Sequence, residues 1–100
     1  MIKHIVCWTL KENADGCSKK ENMAKVKAAL EALKGKIEVV RSLEIGLNFD
    51  HTPDAFDISL YAEFNSKDDL KVYQDHPEHL AVVELLRKVR DKKVVVDYEI

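Results

Sequence analysis

The chain has 100 residues, 46% of them hydrophobic and 34% charged, with a formal net charge of −2 at pH 7. That is the make-up of one globular domain, residues 1–100, without a basic footprint for nucleic acid. No apolar run nears the roughly 20 residues that span a bilayer, so a membrane is not an expected partner either.

The opening Met1-Ile2-Lys3-His4-Ile5 lacks the long apolar core of a secretory signal, which makes the cytoplasm the expected location. Residues 2–10 alternate as a strand. Ile2, His4, Val6, Trp8 and Leu10 share one face and Lys3, Ile5, Cys7 and Thr9 the other. Both faces are largely apolar, as in a strand covered on two sides. A histidine placed like His4 more often serves as a satisfied core residue than as a ligand. Two cysteines, Cys7 and Cys17, make no disulfide framework, and neither has a basic partner nearby in sequence, so neither is an expected nucleophile.

Residues 11–17 read as a polar loop holding Asn13, Asp15 and Gly16. Ser18 followed by Glu21 matches a capping box. The helix it opens should run over residues 19–34, with Met23, Val26, Leu30 and Leu33 as its apolar stripe and Gly35 in the left-handed position past its end. A second strand is expected over 37–49, with Val39, Leu43, Ile45, Leu47 and Phe49 on one face and Gly46 marking a bulge or a close backbone approach. Residues 50–54 are a turn by composition, and His51 within it reads as a surface residue. A third strand over 55–65 puts Phe56, Ile58, Leu60, Ala62 and Phe64 on one face and completes an antiparallel hairpin. Ser66 with Asp69 caps a short helix to Asp75. Pro77 then forces a corner, and Leu80, Val83 and Leu86 stripe the helix after it. Residues 94–100, Val94-Val95-Val96-Asp97-Tyr98-Glu99-Ile100, form a β-branched last strand.

The order β-α-β-β-α-β is an α+β, ferredoxin-like plan with a four-stranded antiparallel sheet. Its helices cover one face of the sheet. The other face keeps apolar groups that no remaining element covers, and a second copy related by a twofold axis is the economical cover, so a homodimer is expected.

Groups able to do chemistry crowd into Tyr73-Gln74-Asp75-His76-Pro77-Glu78-His79. In the simplest reading His76 caps the helix that Pro77 opens. In the sharper one, His79 removes a proton from a carbon beside a carbonyl and Tyr73 donates a hydrogen bond to the oxyanion that forms. His76 and His79, with Asp75 and His4, also offer zinc-type donors, but there is no second local ligand pair and no metal is expected. With three unclustered glycines there is no phosphate loop.

Several segments resemble the stress-responsive dimeric α/β-barrel (Dabb) family: Met1-Ile2-Lys3-His4-Ile5-Val6, Leu30-x-x-Leu33-Lys34-Gly35-Lys36-Ile37, Phe64-x-Ser66, Tyr73-x-x-His76-Pro77-x-His79 and Val96-Asp97-Tyr98. They cover nearly the whole chain in the family's order. The resemblance implies a homodimeric barrel. It also implies, from a plant polyketide cyclase that works without a cofactor, catalytic roles for Tyr73 and His79 and ligand contacts at His4, Val6, Trp8 and His76. Where that enzyme has a histidine on its third strand, this chain has Ile58. Two readings follow: a stress-associated dimer that binds a small apolar or carbonyl-containing ligand without turnover, or a cofactor-free cyclase, lyase or monooxygenase-like enzyme.

Overall fold

A computed structural model describes residues Met1–Ile100. The elements in chain order are β1 (Ile2–Leu10), β2 (Asn13–Ala14), β3 (Cys17–Ser18), α1 (Lys19–Lys36), β4 (Ser42–Leu47), β5 (Ile58–Phe64), α2 (Lys67–Asp75), α3 (Pro77–Val89) and β6 (Arg90–Glu99). The four long strands form one antiparallel sheet in the order β4-β5-β1-β6, the ferredoxin-like arrangement. No helix is long and apolar enough to cross a membrane.

The period-two pattern of β1 becomes burial. Ile2, His4, Val6, Trp8 and Leu10 are buried under the helices, while Lys3, Ile5, Cys7 and Thr9 on the reverse face are half-buried. β5 repeats the rule with Ile58, Leu60, Ala62 and Phe64. Opposite them α1 contributes Val26, Leu30 and Leu33, and α3 contributes Val82, Leu86 and Val89. The reverse face is open. Val94, Val96 and Tyr98 stand there 49%, 56% and 41% exposed, and their cross-strand partners in β1 are Cys7, Ile5 and Lys3. Lys3 pairs with Glu63 on the same face, and Glu63 also accepts from the Tyr61 hydroxyl at 3.1 Å.

Both expected caps form. Ser18 Oγ accepts the Glu21 N–H while the Glu21 carboxylate accepts the Ser18 N–H, and Ser66 Oγ accepts the Asp69 N–H at 3.1 Å. Several details depart from expectation: the third long strand is the shorter Ile58–Phe64 and the last one starts earlier, at Arg90, and four further differences concern turns and packing. The Asp15-Gly16 step, at φ 51° and 77°, is a tight turn joining β2 to β3, so the polar loop is a small hairpin. Helix α1 runs through Gly35 to Lys36 and ends at Ile37 in an extended conformation, so Gly35 is helical. The second long strand starts only at Ser42. Ile37 and Val40 drop into the core ahead of it, while Phe49, expected on its inner face, is 94% exposed. In α3 the buried stripe is Val82, Leu86 and Val89, one face at i, i+4, i+7 spacing, and Leu80 is 49% exposed because, six residues before Leu86, it lies about 120° around the helix at 3.6 residues per turn. At Gly46 the ladder to β5 continues without a bulge; an added Cβ would lie 3.1 Å from Ser59 Oγ, a close approach.

Candidate functional site

The site grows from the corner between α2 and α3. Pro77 supplies no N–H and sits at the start of α3. His76 caps that helix: its Nδ1 accepts the Glu78 N–H at 3.1 Å. The cap fixes where the next residues point. His79, in the first turn, donates from Nδ1 to the carbonyl of Gln74 at 3.0 Å, so Nε2 is its free acceptor nitrogen. Its ring lies 4.4 Å, centroid to centroid, from that of Tyr73.

Tyr73 is fully buried, yet no group of the chain hydrogen-bonds to its hydroxyl. Leaving a buried hydroxyl unpaired costs on the order of 1–3 kcal/mol. Burial also pushes its pKa up to about 12, so it remains a proton donor at any physiological pH. Burial is likewise the main reason that the His79 imidazole titrates below its ordinary value. The hydrogen bond to Gln74 opposes that shift, and the charges of His4, Lys93 and His76 reinforce it. A neutral imidazole with a free Nε2 therefore stands beside a neutral phenol.

The floor is β1. His4 points up from the sheet, its ring 6.3 Å from that of Tyr73 and 6.4 Å from that of Phe64. Its Nδ1 hydrogen-bonds the carboxylate of Asp97, its direct cross-strand neighbour on β6. That bond fixes the tautomer and leaves Nε2 free.

These groups share a cavity of about 110 Å³ lined by His4, Val6 and Trp8 of β1, Tyr73, Gln74 and His79 of the corner, apolar residues of α1, α3 and β5, and Arg87, Arg90, Lys93 and Val95. The structure thus brings together His4, Val6, Trp8, Tyr73 and His79. It does not bring in His76, whose ring nitrogen is spent on the cap. Ile58 lies outside the cavity as well, buried near the far end of the strand opposite Trp8. No three His, Cys, Asp or Glu side chains converge closely enough to hold a metal ion. Sequence reasoning missed Asp97, Arg90 and Lys93 as neighbours of the site; the strand register that carries them there is not written in any local motif.

Comparison with known proteins agrees with this architecture. The family model described as the Stress responsive A/B Barrel Domain (Dabb) matches residues 2–100. An uncharacterized protein of Streptomyces coelicolor is 35% identical over 99 residues, covering 99% of either chain. Among solved structures, a dimeric protein of unknown function and ferredoxin-like fold from Bacteroides fragilis is 39% identical, with a TM-score of 0.83 over 99% of this chain and 95% of that one. Hydroxynitrile lyase from Passiflora edulis superposes with a TM-score of 0.82 over 99% and 92% of the two chains, at 19% identity, a likeness of fold alone.

Proposed function

From the membership of this chain in the Stress responsive A/B Barrel Domain family, we propose that it is a single-domain, cytoplasmic homodimer that binds a small apolar or carbonyl-containing ligand in the cavity between α3 and the sheet. The observation that carries this reading is the Tyr73 hydroxyl, wholly buried at the cavity and without a partner in the chain. A carbonyl or oxyanion of a ligand supplies the acceptor it lacks. The apolar walls take the rest of the molecule, as in most small-molecule sites.

The homodimer is supported by the open sheet face. Ile5, Val94, Val96 and Tyr98 form an apolar stripe there, and the 39% identical Bacteroides fragilis protein is dimeric. The free thiols of Cys7 and Cys17 suit a reducing compartment. With net charge −2, nucleic acid has no evident purchase.

A second reading has one observation in its favour: the neutral His79 beside the protonated Tyr73 is an acid–base pair needing no cofactor. His79 Nε2 would take a proton from a carbon next to a carbonyl, and Tyr73 would donate to the enolate oxygen. The test is a screen of carbonyl compounds by ¹⁵N NMR, followed by hydrogen–deuterium exchange at the α-carbon of each binder. Binding at Tyr73 and His79 without exchange supports the ligand reading. Exchange lost in His79→Ala supports the enzyme. No binder at these residues sinks both.

A further inference from the structure

The cavity has a polarity that its aromatic end does not explain. Arg87, Arg90 and Lys93 line it, and no carboxylate does, although the chain as a whole is net negative. Arg87 is engaged by Glu84 at 3.0 Å, but Arg90 and Lys93 belong to none of the ion pairs of the chain.

The backbone places these two cations together by an irregularity. Residues 90 and 93 are an odd number apart, so on a regular strand they would face opposite ways. Between Thr9 and Leu10 the register of β1 against β6 shifts: Trp8 pairs with Lys93 and Thr9 with Lys92, but Leu10 pairs with Arg90, and Asp91 is the extra residue. The Lys92 N–H beside the shift donates to Thr9 Oγ1 at 2.9 Å. This bulge returns Arg90 to the face of Leu10, Trp8 and Lys93, toward the cavity. Re-aiming one side chain is what bulges beside sites commonly do.

The two ends of the cavity lie along α3. His79 is in its first turn and Arg87 in its last, eight residues on, about 12 Å at 1.5 Å per residue.

We propose that the occupant of this cavity is a small organic anion. Its apolar or carbonyl-bearing body reaches Tyr73 and His79, and its carboxylate or phosphate end is held by Arg90 and Lys93. The proposal rests on the reading of this cavity as a ligand site and adds the charge of the ligand. An anion there gains charge-assisted hydrogen bonds that a neutral isostere lacks.

The test uses matched probes of suitable length: hexanoate, octanoate and 4-phenylbutanoate, each beside its primary amide, and hexylphosphonate as the phosphate-like arm. Binding to the full chain is followed by ¹⁵N NMR at Tyr73, His79, Leu86 and Lys93. The expected result is that acids bind at least about ten-fold more tightly than their amides. The ratio should fall toward one in Arg90→Gln/Lys93→Gln and persist in Lys20→Gln, a change on the exposed side of α1. The stronger of carboxylate and phosphonate identifies the head group. Equal binding of acid and amide at the cavity overturns the anion proposal and leaves the ligand site standing, as does a preference that survives the double substitution. If no probe moves the cavity resonances, both fall.

Discussion

His4 and Asp97 stand directly opposite each other on β1 and β6, and the imidazole Nδ1 is hydrogen-bonded to the carboxylate. The pair is made by sheet register across 93 residues of sequence. It holds the His4 ring edge-on to that of Tyr73, 6.3 Å away between centroids, at the wall of the cavity. Cross-strand pairs of this kind contribute about 0.2–1 kcal/mol, more when one partner is charged. The expected coupling in a cycle of His4→Ala, Asp97→Ala and the double variant is therefore about 1 kcal/mol by urea unfolding. A coupling near zero would mean that the bond does not persist in solution.

Tyr73 separates stability from function. Removing only its hydroxyl leaves the ring packed against Phe64 at 5.0 Å and deletes a buried polar atom with no partner in the chain. Tyr73→Phe should leave the free protein as stable as before, or up to about 1 kcal/mol more stable, while ligand affinity falls roughly ten-fold. Tyr73→Ala, which empties the core, should cost about 3–5 kcal/mol. Chemical denaturation of both variants checks this; a clear loss in Tyr73→Phe would show that the hydroxyl is satisfied.

The acid limb of stability should carry the signature of His79. Its folded pKa lies below the unfolded value of 6.5, so below that pH the unfolded chain binds more protons than the folded one. Its contribution is thus complete above pH 6.5 and is lost as pH falls through the folded pKa. On the alkaline side Tyr73 acts in reverse. Its folded pKa of about 12 against an ordinary 10 makes stability decline as pH rises above 10. Melting temperatures from pH 4.5 to 11 should show both limbs; His79→Gln should flatten the first and Tyr73→Phe the second.

The open face of the sheet should be closed by a second copy. Val96 sits opposite Ile5 and is 56% exposed in the single chain. Val96→Arg puts a charge in the middle of the apolar stripe and should convert a dimer to a monomer at micromolar concentration. Sedimentation equilibrium decides it. A wild-type chain that is already monomeric and cooperatively folded would refute the homodimer.

Much of this molecule could be read before folding it. Alternation in β1 and β5 assigned every buried residue of those strands, and Ser18, Ser66 and Pro77 placed three helix starts correctly. The errors lie where a single residue type is ambiguous. A glycine near a helix end, such as Gly35, can sit inside the last turn, and a polar stretch such as 11–17 hides a hairpin unless the Asp15-Gly16 pair is read as a turn with two positive φ angles. In α3 the expected run Leu80-Val83-Leu86, spaced by threes, drifts around the helix, whereas the i, i+4, i+7 run Val82-Leu86-Val89 holds one face and is the one buried. At the site, Tyr73 and His79 share one short segment and were visible. Asp97, Arg90 and Lys93 reach it through a register and a bulge, which only the folded sheet defines.

The alternation of β1 has one more consequence. Its even-numbered residues are buried, with His4, Val6 and Trp8 lining the chamber, and its odd-numbered ones belong to the open face proposed to meet a second copy, so the two properties are interleaved along nine residues of one thread. Point changes can tune either side almost independently. Deleting a single residue would exchange the two sets, burying Lys3 beside Tyr73 and turning His4 outward, and so would erase both properties at once.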